Sequence, residues 1–241
     1  NEFRKRAKDF AEREIRPLTA WIEGRDQPNG LGNYPRELLR KMGAEGFMGC
    51  LHGKEHGGNG LGIVYECIIA EEFGAVSPAA ELARLVSCAL FGTPLGMFGT
   101  REQKAEFLPR IIKGDLIGAI GITEPNVGSD TAGMKTSAVL DGDFWVINGE
   151  KRFITNGSQA DVISLFAITD PSVRANKGMS TFLFETKTPG FSVLKNYEMH
   201  GMHGLRVSHM EFKNCRIPKN RLLVQLNHGF KQLMLELDKE R

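Results

Sequence analysis

Two rhythms of apolar and polar positions divide this chain. In the first half the rhythm is helical. Phe3, Ala7, Phe10, Ala11 and Ile15 recur three to four residues apart with charges between them, and Pro17 is expected to interrupt. Pro35 opens a second predicted helix, "PRELLRKMG", with Leu38, Leu39 and Met42 on one face and Gly43 near its end. In "SPAAELARLVSCALFG", Ser77 is the expected N-cap and Pro78 the first helical residue, with Leu82, Leu85, Val86, Ala89 and Leu90 gathered on one side. Thr100 and Gln103 stand at capping-box spacing ahead of a further helix. Between the second and third of these helices, "HGKEHGGNGLG" reads as a glycine-rich loop.

Near Ala119 the period shortens. "TSAVL", "DFWVI" and "EKRFIT" are three β-type runs separated or closed by Asp-Gly and Asn-Gly pairs, a strong hairpin signal. "DVISLFAIT", "MSTFLFET", "FSVLKNY" and "VSHMEFKNC" continue as strands. From Leu226 the helical spacing returns, with Phe230, Leu233, Met234 and Leu237 as its stripe. The expected fold class is α+β. A helical segment covers 1–118, an antiparallel, barrel-like β segment 119–224, and the first helix of a further helical unit 225–241.

Bulk properties narrow the function without naming one. The formal charge is +2 and no block of like charge exists, so the basic stripe of a nucleic-acid binder is missing. No apolar run reaches the length of a membrane span, and "NEFRKRAKDFAERE" is too charged for a signal peptide. The chain opens inside one helical pattern and closes inside another, so further residues are expected on both sides. Cys50, Cys67, Cys88 and Cys215 show no C-x-x-C spacing and read as reduced thiols. His52 and His56 lie in a Gly-rich loop with no H-E-x-x-H order, and "HGMHG" lacks the carboxylate or thiolate partners of a zinc site, so no metal is expected. No Walker A or G-x-S-x-G pattern appears.

Three stretches carry candidate chemistry. "GITEPNVGSDTAGMK" leaves a strand for turn residues and small hydroxyls, as either an ordinary connector or a loop touching a polar ligand at close range. Taken alone, Thr123 reads better as a turn residue. In "RFITN", Phe153 and Thr155 alternate and so face one way; a buried Thr155 hydroxyl would need a partner. In "LDKER", Asp238 and Arg241 share a helix face, and the plain reading is a solvated charge cluster.

Taken together, "GLGIVYECIIAEEFG", "FGTREQKAEFLPRIIKGD", "GAIGITEPNVGSD", "VINGEKRFITNG", "FKNCRIPKNRLL" and "LELDKER" resemble the acyl-CoA dehydrogenase family of flavoproteins. They stand in the family's order across essentially the whole chain. The resemblance implies a helical N-terminal domain, a β-barrel-like middle domain and only the first helix of a C-terminal bundle. It implies FAD, with Ile120, Ile122, Thr123, Gly128, Ser129, Phe153, Ile154 and Thr155 around it. Asn126 departs from the small residue expected in that loop, and many relatives carry tryptophan where Phe153 stands. For the acyl-CoA it implies Ser129, Asn176, Asp238 and Arg241, with "LVSCALFGTPLGMFG" along the acyl pocket.

The implied reaction is α,β-dehydrogenation of the thioester, with electrons passed to an electron-transfer flavoprotein. The catalytic base is expected outside this chain, since Glu124 sits in the flavin loop and reads as structural. A homotetramer is implied, in the cytoplasm of a bacterium or the mitochondrial matrix of a eukaryote. An acyl-CoA oxidase, a flavoenzyme of non-CoA substrates and a non-catalytic FAD- or acyl-CoA-binding subunit share these motifs and remain open.

Overall fold

The computed structural model describes residues 2–26, 32–223 and 225–240, with only the backbone of Ala132 and of 238–240. Helix α1 (Glu2–Phe10) does not stop ahead of Pro17. It runs on through a π turn (Ala11–Ile15) and a 3-10 turn (Arg16–Leu18) into α2 (Thr19–Ile22). The expected interruption is absorbed because a proline offends an α-helix by its missing N–H and by its clash with the carbonyl four residues back. The wider turn ahead of it, where the Arg16 N–H donates to the Ala11 carbonyl, relaxes that register.

Pro35 lies just outside α3 (Arg36–Ala44), in extended conformation, and the helix buries Leu38, Leu39 and Met42 as expected. Helix α4 (Ile63–Gly74) was not legible as a helix. Its apolar residues point both ways: Ile68, Ile69 and Phe73 are buried, whereas Ile63 and Val64 are 57% and 67% exposed. Helix α5 (Pro78–Leu85) begins at Ser77, whose Oγ accepts from the Ala80 N–H at 3.3 Å. A π turn (Val86–Phe91) joins it to α6 (Gly92–Phe98). Helix α7 (Arg101–Ile112) carries the full capping box of Thr100 and Gln103. Phe10, Phe47 and Phe73 form the aromatic centre of this half, with ring centroids 5.2–5.3 Å apart. Fully buried Arg84 sits beside them, donating to Glu66 at 2.5 Å, to Glu81 at 2.7 Å and to the Phe47 carbonyl at 2.9 Å.

The β half contains β1 (Gly118–Gly121), β2 (Ser137–Asp141), β3 (Phe144–Thr155), β4 (Val162–Ile168), β5 (Met179–Glu185), β6 (Phe191–Asn196) and β7 (Val207–Pro218). They form one curled sheet in the order β1-β4-β2-β3-β7-β6, with β5 paired to β4. The barrel-like form is as expected, but the sheet is mixed: β1 runs parallel to β4, and β2 meets β4 in parallel at Ser137 and Ile168. Asp141-Gly142 makes the expected hairpin between β2 and β3. Asn148-Gly149 does not turn the chain. It lies within β3 at a register shift against β7, with Gly149 at φ 144°.

A short helix α8 (Ala175–Gly178) joins β4 to β5, and α9 (Gly229–Glu240) closes the described chain. Leu233 of α9 packs with Met134, Phe166 and Met179, flanked by Ile120, Ile122, Phe230 and Leu237. The two halves share a core, because Val162, Leu183, Leu205 and Val207 of the sheet region belong to the helical cluster. Asn156, at φ 63° and fully buried, fastens them further. Its Oδ1 accepts from Tyr34 at 3.1 Å, and its Nδ2 donates to the carbonyls of Ala83 at 2.9 Å and Gly118 at 3.2 Å.

Candidate functional site

The loop after β1 is held in shape by one buried carboxylate. Pro125 and Asn126 form a tight turn closed by reciprocal backbone bonds between Glu124 and Val127, at 2.9 and 3.1 Å. The Glu124 side chain folds back and accepts from the N–H groups of Lys135 at 2.7 Å and Thr136 at 2.9 Å. It also accepts from Lys151 Nζ at 2.9 Å, and Lys151 gives a second bond to the Ile122 carbonyl at 2.9 Å. The Arg152 N–H donates to the Thr123 carbonyl at 2.7 Å. Both ends of the loop are thereby tied to the stretch of β3 that carries Phe153, Ile154 and Thr155.

Burial draws the Lys151 ammonium down to about 8, against the upward pull of Glu124. Burial alone would raise the Glu124 carboxyl, but Lys151 and the hydrogen bonds from Thr136 and Lys135 outweigh it and leave the group below its ordinary value. Glu124 is therefore an ionised structural anchor, as its sequence context suggested.

Phe153 reaches the surface by a bulge and not by plain strand alternation. The β3–β7 register shifts between Lys151 and Ile154, and Phe153 takes φ 59° with 54% of its surface exposed. A bulky residue in the left-handed region is a strained one, and an outward-facing ring gains nothing from the protein core for that cost. Its ring lies 4.7 Å from that of Tyr197, and the Arg152 guanidinium sits 4.7 Å over it. Arg152 Nε donates to the Tyr197 hydroxyl at 2.7 Å. Thr155 is half-buried opposite Val207, whereas Ile154 is only 3% exposed, with its side chain in the β core.

Thr123, Ile120 and Ile122 are half-buried at the junction of β1, β3 and α9. Gly128 and Ser129 are exposed on the outer limb of the loop. A Cβ at Gly128 would meet nothing within 4 Å, so the fold itself does not demand glycine there and the approach is left open. Asn176 is exposed on α8, which packs against both the turn Thr131–Gly133 and α9. Asp238 lies on α9 with only its backbone described, and Arg241 lies outside the described residues. The half-buried Thr123 and Thr155, the exposed Gly128 and Ser129 and the outward Phe153 fit the edge and face of a flavin.

A cleft of about 370 Å³ opens beside α9, walled by Leu51, Ile63, Ala89, Pro94 and Met97. Three of these come from the stretch expected to line an acyl pocket. Thr93 and Glu236 also border it. The sequence reading missed Glu236. It falls one turn from Gln232 on the same helix face, a spacing that was legible, but its burial depends on α6 coming alongside α9.

The N-terminal acyl-CoA dehydrogenase domain description matches residues 1–115, and the description of that family's middle domain matches 119–215. The chain belongs to the acyl-CoA dehydrogenase family. It is 38% identical to acryloyl-CoA reductase (NADH) of Anaerotignum propionicum, a match covering 99% of this chain and 59% of that protein. It superposes on the crystal structure of acyl-CoA dehydrogenase from Geobacillus kaustophilus with TM-score 0.92 and 35% identity, covering 99% of this chain and 61% of that one. A structure described as an electron transferring flavoprotein of Acidaminococcus fermentans aligns with TM-score 0.91 and 37% identity, over 98% of this chain and 60% of that one. The chain spans about 60% of the length of the curated relatives it matches. No helix among the described residues is long and apolar enough to cross a membrane.

Proposed function

We propose that the protein is an FAD-dependent acyl-CoA dehydrogenase that converts an acyl-CoA thioester to its enoyl-CoA and passes the electrons to an electron-transfer flavoprotein. The observation that carries this reading is the pairing of the Thr123 loop with β3 through Glu124 and Lys151, beside a strained, outward Phe153. FAD bound there would supply a hydride acceptor for the β-carbon, while the α-proton goes to a carboxylate base expected outside this chain.

The chain's own residues do the holding. Ile120 and Ile122 give an apolar shelf, Thr123 and Thr155 give hydroxyls to the flavin edge, and Phe153 gives a ring face. Ile154 contributes main chain only, since its side chain is in the core. Gly128 is assigned to a close backbone approach of the flavin nucleotide, and Ser129 to the pyrophosphate and the thioester arm. Asn176 is assigned to the adenosine-phosphate end, Asp238 to the pantetheine and Arg241 to the acyl end. The family reading further proposes a homotetramer, in a bacterial cytoplasm or a mitochondrial matrix.

The test is an FAD titration of the full-length protein after mild removal of any bound flavin. One FAD per subunit, with reduction on adding an acyl-CoA, is the expected result. A folded full-length protein that takes up no FAD sinks the proposal.

A further inference from the structure

One cation at the proposed flavin site meets no carboxylate among the described residues. Arg152 is half-buried on β3, between Lys151, which Glu124 neutralises, and the strained Phe153. Its guanidinium lies 4.7 Å over the Phe153 ring and 5.5 Å over that of Tyr197. Its Nε donates to the Tyr197 hydroxyl at 2.7 Å. Lys195 places a second cation 5.2 Å over Tyr197, but that lysine is exposed to water.

Two aromatic rings and a hydroxyl thus fix the plane of the Arg152 guanidinium, which keeps its charge at any working pH. The stack also steadies Phe153, since a cation is drawn to the face of an aromatic ring. The tie from this residue to the loop is made by its main-chain N–H, which donates to the Thr123 carbonyl. The side chain therefore has no part in shaping the loop. A hydride arriving at a neutral ring brings two electrons and one proton, and so one negative charge. A fixed cation close by, only partly screened by water, favours that more negative form.

We propose that Arg152 is a positioning residue for the flavin, holding the Phe153 ring and setting beside it an unneutralised charge that raises the reduction potential of the bound cofactor. The inference rests on the flavin reading given above and adds to it a residue outside the set assigned to FAD. The balance of the reaction is unaltered: the hydride leaves the β-carbon and the proton leaves the α-carbon for the base.

The test uses the full-length, FAD-loaded protein, with reduction potentials measured by equilibration against reference dyes during slow reduction. Arg152→Gln should lower the potential by about 30 mV or more, a tenfold fall in the equilibrium constant of a two-electron couple. Arg152→Lys keeps the charge and loses the planar stack, so it should recover part of that fall. Tyr197→Phe removes only the hydroxyl that holds Nε and should fall between wild type and Arg152→Gln. Urea midpoints run alongside, because a merely structural role would move them and leave the potential in place. An unchanged potential in Arg152→Gln overturns the inference and leaves the flavin reading standing. An equal fall in the Gln and Lys variants overturns it too, since the charge would then be irrelevant. Should Arg152→Gln fail to fold, an unchanged potential in Tyr197→Phe decides against it. If the folded wild-type protein takes up no FAD, the flavin reading falls and this inference with it.

Discussion

At the scale of single residues, the buried Glu124–Lys151 pair decides the shape of the loop on which the site depends. Removing the lysine leaves a buried carboxylate with two backbone donors but no cation. Lys151→Met is therefore expected to destabilise the protein by roughly 3–5 kcal/mol near neutral pH, read from urea unfolding. The pH dependence has a definite sign. The native Lys151 value of about 8 is below its ordinary 10.5, so the unfolded chain binds this proton more tightly than the native one does. The contribution of this group is constant at lower pH and becomes more favourable as pH rises from about 8 to 10.5. Glu124, whose value is depressed, adds stability above the ordinary carboxylate range that is lost as pH falls through its native value. The stability difference between wild type and Lys151→Met should accordingly widen between about pH 8 and 10.5. A flat difference across that window would show that the amine titrates as an exposed lysine does.

At the scale of elements, Asn148-Gly149 shows how a local signal is overruled. The pair reads as a hairpin turn, yet β7 offers β3 a partner on both sides of it, and the register shift is taken up by an extra residue of β7 between Phe212 and Cys215. The glycine is required there for a steric reason, since a Cβ at Gly149 would stand 2.6 Å from the Thr136 Cα. Thr136 also supplies one of the N–H groups that hold Glu124. Gly149→Ala is therefore expected to cost about 1–3 kcal/mol, with a lower urea midpoint, an unchanged slope and weaker FAD binding. An unchanged midpoint would mean that β2 and β3 move apart freely at this point.

Elements whose signal is local were legible: the Ser77 cap, the Thr100 capping box and the Asp141-Gly142 hairpin all rest on neighbours within a few residues. Helix α4 was not, because its outward Ile63 and Val64 break the amphipathic pattern. The ion cluster around Arg84 was not either: Glu81 precedes it by three residues on α5, but Glu66 of α4 joins only once the two helices pack. In the site, the loop and the Phe153 strand were visible as motifs. The strain at Phe153, the anchoring by Lys151 and the burial of Glu236 arise from long-range pairing and left no local trace.

At the scale of the molecule, Asn156 binds the helical and β halves into one cooperative body. Asn156→Ala strands the buried Tyr34 hydroxyl and takes one donor from the Ala83 and Gly118 carbonyls, and alanine tolerates the left-handed backbone less well. A loss of about 2–4 kcal/mol is expected, from about 1–3 kcal/mol for the unsatisfied hydroxyl and about 1–2 kcal/mol for the backbone. Its signature should be unfolding that splits, with helical and sheet signals no longer coincident in circular dichroism and tryptophan fluorescence. Coincident signals in the variant would assign the coupling to the shared apolar core instead.

The same link has a consequence for how the chain is made. On the ribosome the helices emerge first, and Tyr34 lies 122 residues ahead of the asparagine that accepts its hydrogen bond. At ordinary translation speeds that interval lasts on the order of ten seconds. Throughout it, the nascent helical half has only water for these polar groups, and the apolar flank destined for Val162, Leu183 and Leu205 is still bare. A chaperone that shields this flank during synthesis would act before the sheet exists to cover it.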